Sequence, residues 1–161
     1  MCGYSFSKRI KFKIMKKLLL MIAVLICSSN LFAQSADDIT GVWWNAEKTS
    51  KIKVELKDGK YSGTVVHIVP EKYVNGAPAL DDQNPDVSLR SRSRLNLQIL
   101  SGLVYNADDK EWAKGMIYDP VSGKTYECFA WLEGKDTLQL KGFVAGIRML
   151  GKKSAWTRTT L

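Results

Sequence analysis

Few side chains in this sequence have the chemistry of a reactive site. The chain carries one histidine, His67, three cysteines, and a run of alternating arginines, Arg90, Arg92 and Arg94. A lone imidazole titrates near neutrality and can orient a ligand. Alternating guanidiniums on an extended chain would point one way and form a concave anion site for a carboxylate or phosphate head group. The competing reading is local pairing with Asp81, Asp82 and Asp86. The best catalytic constellation is His67 with Tyr118 and Asp119. Asp119-Pro120 ahead of Gly123, however, reads as turn chemistry. The chain has no Gly-x-Ser-x-Gly elbow, no phosphate-binding glycine loop and no His-Glu-x-x-His. A non-enzymatic protein is therefore expected. Without a second histidine or a thiolate pair, no His/Cys metal site is expected. The carboxylates lack calcium-loop spacing, and no cofactor is implied.

Cysteine use and charge depend on how the N-terminus is read. Lys16-Lys17, the apolar run LLLMIAVLI and the small residues ending at Ala33 have the layout of a signal peptide over residues 1–33, with Met15 as the expected true start. The apolar run is too short for a membrane-spanning helix. Removing the six basic residues of 1–33 from the chain's 24 leaves 18 against 16 acidic residues, a net charge of +2. The basicity thus belongs mostly to the leader, and a nucleic-acid partner is not expected. Cys2 and Cys27 also fall in the leader. Cys128 is left without a disulfide partner, and it reads as a small buried hydrophobe. Residues 34–161 suit one domain with one core, and the expected location is the periplasm or the outside of the cell.

The elements that must position these residues are strands. Gly41–Trp44 is a short first strand. Residues 51–57 alternate, with Ile52, Val54 and Leu56 on one face. Asp58-Gly59 predicts a two-residue hairpin into a strand from Lys60 to Val69. That turn sets Lys57 opposite Lys60, Leu56 opposite Tyr61, Val54 opposite Gly63 and Ile52 opposite Val65. Continued alternation would place His67 on the inner face with Tyr61. Further strands are expected at 97–105, 111–118, 124–133, 137–144 and 154–159. Eight antiparallel strands in sequential order predict an all-β fold, an up-and-down barrel that leaves no exposed edge; a two-sheet sandwich is the alternative. Between the third and fourth strands lies a long irregular segment, Pro70–Leu95. Within it, Asn84-Pro85-Asp86 predicts a short helix over 85–90. In the strand at 124–133, Tyr126 and Cys128 share one face, and Phe129 and Trp131 the other. The long segment is expected to cap one end of the barrel and to cover those two aromatics.

Several blocks resemble a known family: Gly41-x-Trp43; Asp82-x-Asn84-Pro85-Asp86 running into Leu89-Arg90-Ser91-Arg92; Gly115-x-Ile117-Tyr118-Asp119-Pro120 with Gly123-Lys124-Thr125-Tyr126; Leu138-x-Leu140-x-Gly142; and Trp156-Thr157-Arg158. In order and spacing they resemble the bacterial exported proteins of domain-of-unknown-function family 2147. The resemblance spans nearly all of residues 34–161. It implies a lipocalin-like (calycin-like) barrel in the bacterial envelope and no known activity. Asn96 stands where that family tends to have glycine, and Lys152 where it tends to have arginine. Gly41-x-Trp43 is also similar to the opening signature of lipocalins. A closed barrel makes the first and last strands neighbours, so Arg158 is expected over Trp43 as a cation–π contact that closes the structure.

The functional expectation is an exported small barrel that binds a small apolar or amphipathic molecule, including an anionic one, in its interior. Tyr61, His67, Val54, Val65, Tyr126 and Leu140 are the candidate wall, and Arg90, Arg92 and Arg94 the candidate head-group site. The alternative is a packed barrel without a cavity that contacts another envelope protein.

Overall fold

A computed structural model describes residues 34–161. The expected signal peptide, 1–33, lies outside the described residues. The strands are β1 (Gly41–Trp44), β2 (Ser50–Lys57), β3 (Lys60–Ile68), β4 (Tyr73–Val74), β5 (Ala77–Pro78), β6 (Gln98–Asn106), β7 (Glu111–Asp119), β8 (Lys124–Glu133), β9 (Thr137–Phe143) and β10 (Lys152–Thr159). Eight of them close into an antiparallel barrel in the order β1-β10-β9-β8-β7-β6-β3-β2. β4 and β5 form a separate small hairpin inside the long segment. The barrel is thus an up-and-down meander, as the sequence predicts. Among the described residues, no helix is long and apolar enough to cross a membrane.

The β2–β3 register follows from its turn. Asp58 and Gly59 both take positive φ, at 51° and 75°, the geometry that matches the right-handed twist of a two-residue hairpin. Lys57 then pairs with Lys60, Leu56 with Tyr61, Val54 with Gly63 and Ile52 with Val65. Beyond Ile52 the register slips, and Lys51 pairs with His67. This bulge places one extra residue on β3. It brings Ile68 into the core and turns His67 to the outer side, where its ring meets Trp44 edge-on at 5.8 Å. His67 is therefore not a wall residue. An alternating reading cannot see an inserted residue.

One end of the barrel is shut by residues 34–40. Ala36–Ile39 form a 3-10 turn, capped by Ser35 and Asp38 in a reciprocal capping box. Ile39 is fully buried against the barrel residues. The strap is bonded to five strands. Trp43 Nε1 donates to the Ile39 carbonyl at 2.9 Å, Trp112 Nε1 to the Ala36 carbonyl at 2.9 Å, and Tyr105 Oη to the Gln34 carbonyl at 2.9 Å. Tyr61 Oη donates to Asp37 Oδ1 at 2.8 Å. Arg158 completes the closure from β10. Its guanidinium lies 4.1 Å from the centre of the Trp43 ring and donates to the carbonyls of Thr40 and Asp38 at 2.8 and 2.6 Å. Gly41 makes room for it. A Cβ there would sit 2.9 Å from Arg158 Nη1, and φ is 128°, so only glycine fits without strain. The spacing Gly41-x-Trp43 with a basic residue on the last strand is thus the sequence trace of how this end closes.

Candidate functional site

The predicted wall residues do not enclose a chamber. Val54, Tyr61, Val65 and Leu140 belong to one continuous cluster with Trp43, Trp112, Trp156, Leu100, Leu103 and Leu138. A side chain lining a space that admits water would show accessible surface. Trp43, Trp112, Leu100, Leu103, Ala130 and Leu138 show none, and Val54 and Leu140 show 1% and 2%. The interior at this level is filled by indole rings and branched aliphatics at the density of a protein core. Of the expected wall, besides the outward His67, only Tyr126 is half-buried. It pairs with Ile117 near the end away from the strap. Tyr61 is structural. Burial, helped by the bond to Asp37 and its charge, pushes its phenol up to about 12. Cys128 is buried under Gly115, and burial pushes its thiol up to about 12. Such a thiol is a core hydrophobe rather than a nucleophile.

The concave feature lies outside the barrel. Along β7, Ile117 faces in while Met116 and Tyr118 face out. Between that outer flank and the long segment is an open cleft of ≈ 320 Å³. Ile99, Met116 and Pro85 supply its apolar surface; Asn84, Arg92, Gln98, Ser101, Tyr118 and Thr125 supply its polar groups. One buried carboxylate holds the cleft together. Asp81 is fully buried. Its Oδ1 accepts from Tyr118 Oη at 2.6 Å; its Oδ2 accepts from Asn84 Nδ2 at 2.8 Å and Arg92 Nε at 2.9 Å. Arg92 Nη2 adds an ion pair at 2.8 Å. Burial alone would raise the Asp81 carboxyl. The bonds from Tyr118, Asn84 and Arg92 outweigh it and hold the group below the ordinary carboxylate value.

The long segment is built around this carboxylate. Asn84, expected to cap a helix over 85–90, is instead buried, donating to both Asp81 and Tyr118. The helix therefore starts two residues later. Asp86 caps a 3-10 turn over Val87–Leu89 by accepting from the Ser88 amide. The segment also leans on the β7–β8 turn, where a Cβ on Gly123 would collide with the Gln83 carbonyl. These contacts fix most of it to the barrel's outer flank, and only Leu95, at its end, packs against the core. The segment does not cover Phe129 and Trp131. That pair stacks at 5.5 Å on the outer face of β8 and is covered by Arg148, 3.6 Å from the Phe129 ring, and by Lys153, 5.0 Å from the Trp131 ring.

The three arginines separate. Only Arg92 lines the cleft. Arg90 Nε donates to the Asn84 carbonyl at 2.7 Å, Arg94 Nε donates to the Leu80 carbonyl at 2.8 Å, and Arg94 Nη2 pairs with Asp82 at 3.0 Å. Together they brace the segment, so a three-arginine head-group site is not formed. His67, Tyr118 and Asp119 are not brought together, since β6 lies between β3 and β7. Asp119 uses its oxygens on the Val121 amide and the Ser122 hydroxyl, at 3.0 and 2.6 Å, which is turn chemistry. Among the described residues, no group of three or more His, Cys, Asp or Glu is placed to hold a metal ion. The cleft residues that sequence reasoning missed are Tyr118 as a ligand-facing group, Asn84, Ile99, Ser101, Met116 and Thr125. Two signals point to them: the outward phase of Met116 and Tyr118, and the nearness of both to a motif block.

Comparison with known proteins agrees with this architecture. A solved lipocalin-family protein from the human pathogen Helicobacter pylori superposes with a TM-score of 0.65 at 21% identity, covering 76% of this chain and 83% of that one. At that identity the likeness establishes the fold, a lipocalin-like barrel. Among curated proteins nothing matches. The family model for DUF2147, described as an uncharacterized protein conserved in bacteria, matches residues 41–158. That span includes the eight barrel strands up to Arg158 and the segment that carries Asp81 and Arg92, and the chain belongs to domain-of-unknown-function family 2147.

Proposed function

We propose that the protein is an exported, non-catalytic binding protein of the bacterial envelope. It holds a small amphipathic molecule in the cleft between the long segment and the outer flank of β6–β8. The observation that carries this reading is the cleft itself, ≈ 320 Å³, lined mainly by convergent polar groups with Pro85, Ile99 and Met116 beside them. Its volume is at the lower end of the range for small-molecule sites, about 300–1,000 Å³. Arg92 is half-exposed and uses Nε and Nη2 on Asp81, which leaves Nη1 for a ligand oxygen. Ile99 and Met116 offer an apolar tail its contact surface. The basic and apolar leader ending at Ala33 supports export.

The test is isothermal titration of purified protein with straight-chain carboxylates of increasing length and with the matching alcohols. Saturable binding at one site is expected, with carboxylates tighter than alcohols. Ser101→Phe should fill the cleft and abolish binding, while leaving the melting temperature close to wild type. Binding unaffected by Ser101→Phe would reject the cleft. The packed-barrel alternative, contact with another envelope protein, is favoured by the filled interior. It gains if no member of either ligand series binds.

A further inference from the structure

The β9–β10 connection, with its flanks, reads KGFVAGIRMLGKK over residues 141–153, four basic residues and no acidic one. Its apolar side chains are not buried. Val144 is 56% exposed, Ile147 48%, Met149 88% and Leu150 76%. Four large apolar groups left exposed on one short connection offer a candidate contact surface. The connection is nonetheless held in place. Arg148 pairs with Glu111 at 2.6 Å and lies over Phe129. Lys141 Nζ donates to the Met149 carbonyl, and Arg148–Leu150 form a 3-10 turn. The root of the connection is therefore fastened to the aromatic outer face of β8 and β9, with the apolar side chains left outside.

We infer that this connection is a docking tip for an anionic lipid bilayer. Charge selects that occupant. Of the nearby acids, Glu111 is taken by Arg148 and Glu133 by Lys153, at 2.6 and 3.3 Å. Glu127, on the strand beside Phe143, is the remaining one. Lys152 is exposed and has no partner among the described residues, and Lys141 bonds only a carbonyl. Exposed apolar side chains ringed by cations insert below anionic head groups while the ammonium groups stay at the phosphate level. The tip uses different residues from the cleft, so the two readings fail independently.

The experiment is co-sedimentation of the protein with phosphatidylcholine vesicles and with vesicles that also contain phosphatidylglycerol. Binding to the anionic vesicles is expected, weakening as salt is raised. The double variant Met149→Glu, Leu150→Glu should bind at least about tenfold more weakly. Lys152→Gln should bind about fivefold more weakly. Both variants alter exposed side chains, and their melting temperatures should match wild type. Absence of binding to either vesicle, equal binding by the double variant, or equal binding to neutral and anionic vesicles would overturn the inference. So would a concentration-dependent dimer that the double variant abolishes, because it would show the apolar tip to be occupied by a second copy of the chain.

Discussion

The two ends of the barrel solve the same problem with opposite chemistry. At the strapped end, residues 34–40 bring backbone carbonyls to the indoles of Trp43 and Trp112 and to the guanidinium of Arg158. Its turns are short and polar. At the other end, the long segment is built around one buried carboxylate and its three donors, Tyr118, Asn84 and Arg92, with Arg90 and Arg94 as further braces. Val74, Val87, Val121, Met149 and Leu150 are left exposed there. The first end closes a core. The second leaves a cleft and an apolar tip. On the proposed reading, stability and recognition are placed in different parts of the molecule.

That contrast makes graded predictions. The largest effect belongs to the strapped end. Trp43→Ala removes a fully buried indole together with the support for Arg158, and should cost about 3–5 kcal/mol in denaturant unfolding. Gly41→Val should approach that loss, because its side chain meets Arg158. Next is the segment end. Arg92→Ala leaves Asp81 buried with one donor side chain fewer, for about 1–3 kcal/mol, and Tyr118→Phe should cost about 1 kcal/mol. If these two exceeded Trp43→Ala, the division of labour would be wrong. Substituting Met149 by serine should stay within about 0.5 kcal/mol.

The two ends should differ in their response to acid, whereas each carries a tyrosine whose pKa is raised on folding. The Asp81 pKa is lowered on folding. Its contribution is complete above the ordinary carboxylate value, about 3.9, and is lost as pH falls through the lower folded value. The Tyr61 pKa is raised from 10.0 to about 12, so its contribution is complete below 10 and is lost as pH rises toward 12. Urea unfolding across pH checks both signs. Tyr118→Phe should flatten the acid limb and, because its own phenol is raised, part of the alkaline limb, whereas Tyr61→Phe should flatten the alkaline limb alone. Swapped responses would contradict the assignment.

At the strapped end the β2–β3 register and the Trp43–Arg158 closure are legible in sequence, for a physical reason. Those two features are local or follow from closure, whereas the strap at 34–40, tied to Tyr105 and Trp112 over 71 and 76 residues, has no local signal. Asp58-Gly59 sets a register by itself, and barrel closure must bring β1 beside β10, which puts Trp43 opposite Arg158. The segment end depends on contacts far apart in sequence. Nothing local says that Asn84 will serve Asp81 and Tyr118 instead of capping a helix. Nothing local says that Arg92 and Arg94 will choose different aspartates. The bulge that turns His67 outward is equally silent, since Val65, Val66 and Ile68 are all apolar and allow either phase. Asn96 is a smaller case. It stands where the family tends to have glycine and takes φ 66°, a left-handed conformation that asparagine tolerates better than other non-glycine residues.

The central claim is that the interior is filled and the binding surface is on the flank. The most direct test is two-dimensional amide NMR during titration with an amphipathic carboxylate. Saturable shifts confined to the neighbourhood of Asn84, Arg92, Ser101, Met116, Tyr118 and Thr125 are predicted, with Val54, Val65, Leu138 and Leu140 unmoved. Shifts centred on those four interior residues would contradict it and restore the chamber.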